Sequence, residues 1–127
     1  MDETRIPILV GSGQVTQREP DPTMALSPMD LTAASGRKAA EDSDAGAALL
    51  KSLDTIVLIR SFSDTSWRFT CPFGKYTNPP LSLANRLGLE NVTRHIYTYP
   101  GGNMPQWSVN RMFEMITRGE MEAGMIA

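Results

Sequence analysis

Thr55-Ile-Val-Leu-Ile59 is the segment that most restricts how this chain can fold. Its apolar side chains follow one another without alternation, as expected of a parallel strand covered on both faces. A strand of that kind needs helices above and below it, so the flanking sequence should alternate strand with helix.

The flanks do alternate. Ile6-Pro-Ile-Leu-Val10, closed by Gly11-Ser-Gly13, reads as a short buried strand with Pro7 near its start or at an edge. Residues 14–26 are broken by Arg18, Glu19, Pro20, Asp21 and Pro22 and form a loop. Ser27-Pro28-Met29-Asp30 starts a helix: serine caps, proline fits the first position, and aspartate faces the positive dipole end. That helix should run through Leu31, Ala34 and Arg37 to Glu41, with Gly36 a defect of about 1 kcal/mol unless another backbone approaches it. Ala47–Leu50 gives a helical turn before the central strand. Residues 61–78 form a long loop carrying Phe62, Trp67, Phe69, Phe73 and Tyr76.

Pro79-Pro80 opens a further helix that Gly88 stops, and the alternating Arg94–Tyr99 reads as another strand. After the Pro100-Gly-Gly102 turn, Asn103 and Gln106 suit a capping box. The apolar face of the following helix is expected at Val109, Met112, Phe113 and Ile116, with Gly119 as its end. Ala123–Ala127 looks like the beginning of a fourth strand. The order implies an α/β fold with a mostly parallel sheet flanked by helices. A chain ending inside a buried strand would leave its carboxylate unpartnered, so 1–127 is expected to be one domain-sized piece of a longer protein.

Composition narrows the function classes. A net charge of -2 offers no basic face for nucleic acid. No apolar run approaches the roughly 20 residues that span a bilayer, and the start, with Asp2 and Glu3, is acidic where a signal peptide is basic. One cysteine makes no internal disulfide, which suits a reducing cytoplasm, and one histidine excludes most metal-ligand clusters.

The segment Asn110-Arg-Met-Phe-Glu-Met-Ile-Thr-Arg-Gly-Glu120-Met-Glu-Ala-Gly-Met-Ile-Ala127 resembles the helix and strand after the nucleophile in the thiolase superfamily. Ile8-Leu-Val-Gly-Ser-Gly-Gln14, the Ala33–Ala47 region, Leu53-Asp54 and Leu81-Ser-Leu-Ala-Asn-Arg-Leu-Gly-Leu89 resemble other parts of that fold, in the same order. The branch most similar is the thiolase-like and sterol-carrier-type one. The resemblance implies the amino-terminal part of a layered thiolase-type fold that transfers acyl groups, making or breaking carbon-carbon bonds on coenzyme A thioesters. The thioester is substrate, and no further cofactor is implied.

In that family a cysteine lies at the start of the helix, where free amides and the dipole stabilise its thiolate. Aligning Val109-Asn110 and Gly119-Glu120 puts Gly102 at the cysteine's position. The resemblance therefore assigns no catalytic residue here and makes Gly101, Gly102, Asn103 and Met104 the substrate-binding candidates. The family's histidine and second-cysteine loops are expected beyond residue 127. It also implies a homodimer through Arg94–Tyr99, or association with the remaining polypeptide. The alternative is a non-catalytic acyl-CoA binder or scaffold of the same fold.

Several residues carry two readings. The Gly101-Gly-Asn103 turn either cradles a thioester oxygen with its amides or is a tight turn that only glycine fits. Cys71 is a packed or exposed thiol, or else a displaced nucleophile with no histidine near it in sequence. His95 reads as a hydrogen-bonded structural histidine rather than a general base. The aromatic loop either shapes an acyl or pantetheine pocket or packs on a second domain. Gly11-Ser-Gly13 lacks the third glycine and following helix of a dinucleotide site. Met104, Met112, Met115, Met121 and Met125 read mostly as core filling.

Overall fold

The computed structural model describes residues 4–127. Asp2 and Glu3, which make the start acidic, lie outside the described residues. Three strands, β1 (Thr55–Leu58), β2 (Arg94–Tyr97) and β3 (Gly124–Ile126), form a parallel sheet in the order β2-β1-β3. The unalternating run is the central strand, and all four of its residues are buried. Asp54 ties its entry to both neighbours: its backbone carbonyl accepts from Thr93 and Arg94, and its carboxylate accepts the Glu122 amide at 2.7 Å.

Helices cover both faces. α1 (Pro28–Asp42), α2 (Ala47–Ser52), α3 (Pro79–Leu87) and α4 (Met104–Thr117) follow the chain order. On one face Met29 and Ala33 of α1, with Leu83, Ala84 and Leu87 of α3, pack on Ile56 and Leu58. On the other, Met112 and Met115 of α4, together with Met121, pack on Val57. Alternate residues of β1 thus feed two cores, which is why Ile56, Val57 and Leu58 are all apolar, while the buried Thr55 at the strand's start donates its hydroxyl to Asp54 Oδ1 at 2.7 Å.

The ends of α1 and α3 follow the expected chemistry. Ser27 Oγ accepts from the Asp30 amide at 3.1 Å and donates to Asp30 Oδ2 at 2.6 Å, a reciprocal cap. Gly88 ends α3 with a left-handed φ of 66°. Gly36 meets side chains of Met125 and Leu87 rather than another backbone.

Three expectations are corrected. Residues 6–10 form no strand: Ile6 and Ile8 are each 73% exposed, and nothing in the segment joins the sheet. The reason lies at the glycines. A Cβ at Gly11 would stand 2.1 Å from the Ala39 carbonyl oxygen, and one at Gly13 would stand 2.2 Å from that of Ser35. Residues 11–13 lie against α1 rather than beside a strand, and Arg5 anchors the start of the segment to Glu122 at 2.7 Å.

The Asn103–Gln106 capping box is absent. Asn103 has helical dihedrals (φ -84°, ψ -14°) and makes no side-chain cap bond, while Gln106 donates to Asn110 at 2.9 Å. A cap residue needs extended dihedrals to reach back to the amides. The buried face of α4 is also rotated from the expected one, to Met104, Ser108, Met112 and Met115, leaving Phe113 46% exposed. Ser108 can face the core because its hydroxyl donates to the Met104 carbonyl at 2.8 Å.

Candidate functional site

In an open parallel sheet, ligands bind outside the carboxyl ends of the strands, where the following connections leave toward opposite faces. β1 and β2 meet that condition, since β1 leads to α3 on one face and β2 to α4 on the other. The two strand ends are pinned together. The Thr98 amide donates to the Leu58 carbonyl at 3.1 Å, and the Arg60 amide donates to Thr98 Oγ1 at 3.1 Å.

Beyond these ends, Arg60, Asp64 and Tyr97 form a polar cluster. Tyr97 donates its phenolic hydrogen to Asp64 Oδ2 at 2.9 Å. Arg60 Nη2 donates to the Asp64 carbonyl at 3.0 Å, and its Nε lies 3.7 Å from Asp64 Oδ2. The guanidinium sits 5.5 Å from the centre of the Tyr97 ring, a cation–π distance. Burial, and then the hydrogen bond to Asp64, push the Tyr97 phenol up to about 12. At neutral pH Tyr97 is therefore a fixed donor, and Asp64 is committed to two partners.

Next to the cluster is a cavity of about 120 Å³. It is lined by Leu58, Ile59 and Tyr97 from the strand ends and by Met29 and Thr32 of α1. The loop of residues 61–78 contributes Cys71, Phe73, Lys75 and Tyr76 to the lining. Tyr76 is held from behind by Arg86, whose guanidinium lies 5.1 Å from the ring centre and donates to the hydroxyl at 3.1 Å. Arg86 also pairs with Asp30 at 2.7 Å. The Ser27 hydroxyl first, and Arg86 second, hold the Asp30 carboxyl below its ordinary range.

The residues singled out in the sequence are scattered. Gly101 is half-buried with φ 148°, Gly102 and Asn103 are exposed, and Met104 is buried at 7% exposure, with its side chain in the core. None of these four lines the cavity. Nothing lies within 4 Å of where a Cβ at Gly102 would stand, and its φ is outside the left-handed range. Cys71 is a free, half-buried thiol of the cavity wall.

His95 departs from the expected hydrogen-bonded histidine, because its Nε2 is buried with no partner. It aligns with Ile56 on the α1/α3 side of the sheet, where the neighbouring Tyr97 commits its hydroxyl to Asp64. The aromatic loop divides: Phe73 and Tyr76 line the cavity, whereas Phe62 and Trp67 are 66% and 83% exposed.

The Arg60–Asp64–Tyr97 cluster was not evident in the sequence. Its only signal was that Arg60 and Tyr97 stand at the carboxyl ends of two strands that the crossover rule makes neighbours.

Neither a family model nor a curated protein matches the sequence. Among solved structures, the chain matches the crystal structure of a monomeric SCP2-thiolase-like protein type 1 from Mycobacterium smegmatis, with a TM-score of 0.78 and 26% identity. The match covers 99% of this chain and 24% of the other. The fold is thiolase-like. The chain spans about a quarter of the solved protein's length (24%). Within this thiolase-like frame, β2, the Gly101-Gly102 turn and α4 follow one another as the sequence resemblance implied. Among the described residues, no helix is long and apolar enough to cross a membrane.

Proposed function

We propose that this chain is the amino-terminal part of a thiolase-like protein that handles acyl-coenzyme A thioesters, with Gly102 in the position of the family's nucleophilic cysteine. The observation that carries the reading is local. α4 begins at the carboxyl end of β2, its cap side chain is not engaged, and the space at Gly102 is open with a backbone that any residue can adopt. A helix start of that kind favours a thioester oxygen or a thiolate. In the full protein the chemistry in question is acyl transfer, and Gly101, Gly102 and Asn103 contact the thioester end of the substrate. Met104, being buried, contributes by holding the helix start in place.

A second reading is favoured by Gly102 itself. Without sulfur at the helix start, and with Cys71 in the wall of a cavity that Gly102 does not line, a non-catalytic acyl-CoA binder is chemically consistent. Incubating the full protein with radiolabelled acetyl-CoA separates the two. A covalent adduct with thiolysis supports transfer, and reversible retention of the label without adduct supports the binder. If no label is retained at all, both fail.

The homodimer implied by the resemblance would use β2, which is an edge strand of the sheet among the described residues. Sedimentation equilibrium of the full protein, with and without a proline at Ile96, tests it. A monomer with the wild-type sequence would exclude that pairing.

A further inference from the structure

The cavity at the strand ends has a charge inventory that the thioester reading does not use. Its walls are mostly apolar, from Met29, Leu58, Ile59 and Phe73. The one carboxylate that lines it, Asp64, already accepts from Tyr97 at 2.9 Å and faces Arg60 at 3.7 Å. Lys75 also lines the cavity, and among the described residues it has no ion-pair partner. An apolar pocket lined by one exposed lysine that has no ion-pair partner among the described residues matches a ligand with a hydrocarbon body and one anionic end. A phosphate would leave the apolar walls uncovered, and a neutral acyl chain would make no use of Lys75.

We propose that this cavity binds a short-chain aliphatic monocarboxylate, its chain against Leu58 and Met29 and its carboxylate on Lys75. The size follows from the volume. An apolar cavity of about 150 Å³ admits a benzene ring, so 120 Å³ suits a chain of roughly four or five carbons. The site does not depend on Gly102 or on acyl transfer, and it is tested separately from them.

The test is calorimetric titration of the full protein with pentanoate and with pentanamide at neutral pH, paired with the alkylation rate of Cys71 followed on its own peptide. Pentanoate should bind saturably and slow Cys71 alkylation at least about fivefold, because the thiol is in the same wall, while the amide should do neither. Lys75→Met should weaken pentanoate at least about tenfold, and Lys75→Arg should retain most of the affinity. Lys75 is exposed, so neither change threatens the fold. Thr32→Met, which fills the cavity from α1, should abolish binding. The proposal is overturned if pentanoate gives no heat, if the amide binds equally well, if binding leaves Cys71 unprotected, or if Lys75→Met binds as the wild type does.

Discussion

Gly101 and Gly102 are neighbours in sequence but have different reasons to be glycine. Gly101 has φ 148°, and a Cβ there would stand 2.8 Å from Asn103 Oδ1. Gly102 has neither constraint. Gly101→Ala should therefore destabilise the protein by about 1–3 kcal/mol in urea unfolding, whereas Gly102→Ala should be close to neutral. Equal losses would show that the turn is built differently.

At the same scale, Tyr97 yields a pH prediction. Its phenol ionises at about 12 when folded, against 10.0 for an unperturbed tyrosine. The protonated form is the one folding favours, so its contribution to stability is complete below pH 10 and is lost as pH rises toward 12. Phenolate absorbance should show one component that rises only near pH 12 and is missing in Tyr97→Phe. A Tyr97→Phe curve with the late component intact would remove the Asp64–Tyr97 bond from the account.

Among the elements, α1 carries the clearest test of local chemistry. Ser27→Ala removes both halves of the reciprocal cap and should cost about 1 kcal/mol, within the 0.5–2 kcal/mol range of such caps. A urea midpoint unchanged at constant slope would contradict this. The amino-terminal segment offers another. Gly13→Ala places a methyl against the Ser35 carbonyl and should lift residues 11–13 from α1. Amide exchange in that segment should then accelerate while β1 stays protected.

The elements also show what the sequence could and could not reveal. β1, α1, α3 and β2 were legible because a continuous apolar run, a Ser-Pro-x-Asp start and a Gly stop each act within a few residues. Residues 6–10 were misread because hydrophobicity says which side chains avoid water, not whether a neighbouring strand exists to pair with the backbone. α4 was rotated because Ser108, satisfied by its own helix, occupies a core position that polarity alone assigns to solvent. The cavity was illegible for a related reason: Met29, Leu58, Lys75 and Tyr97 come from four separate stretches, and only the crossover brings them together.

For the whole molecule, one sheet with helices on both faces places α4's start and the cavity at the same end of the strands, where such sheets bind ligands. The likeness over 99% of the chain shows a thiolase-like fold, and the function proposed above rests on assigning Gly102 to the nucleophile's place. The most direct test is the acylation rate of a Gly102→Cys variant, in a Cys71→Ser background, by acetyl-CoA, followed by intact mass. The account predicts that the introduced thiol gains an acetyl group at least about tenfold faster than a thiol introduced by Trp107→Cys, an exposed position inside α4. Equal rates at the two positions would mean that the start of α4 does not address a thioester, and the functional reading would fall.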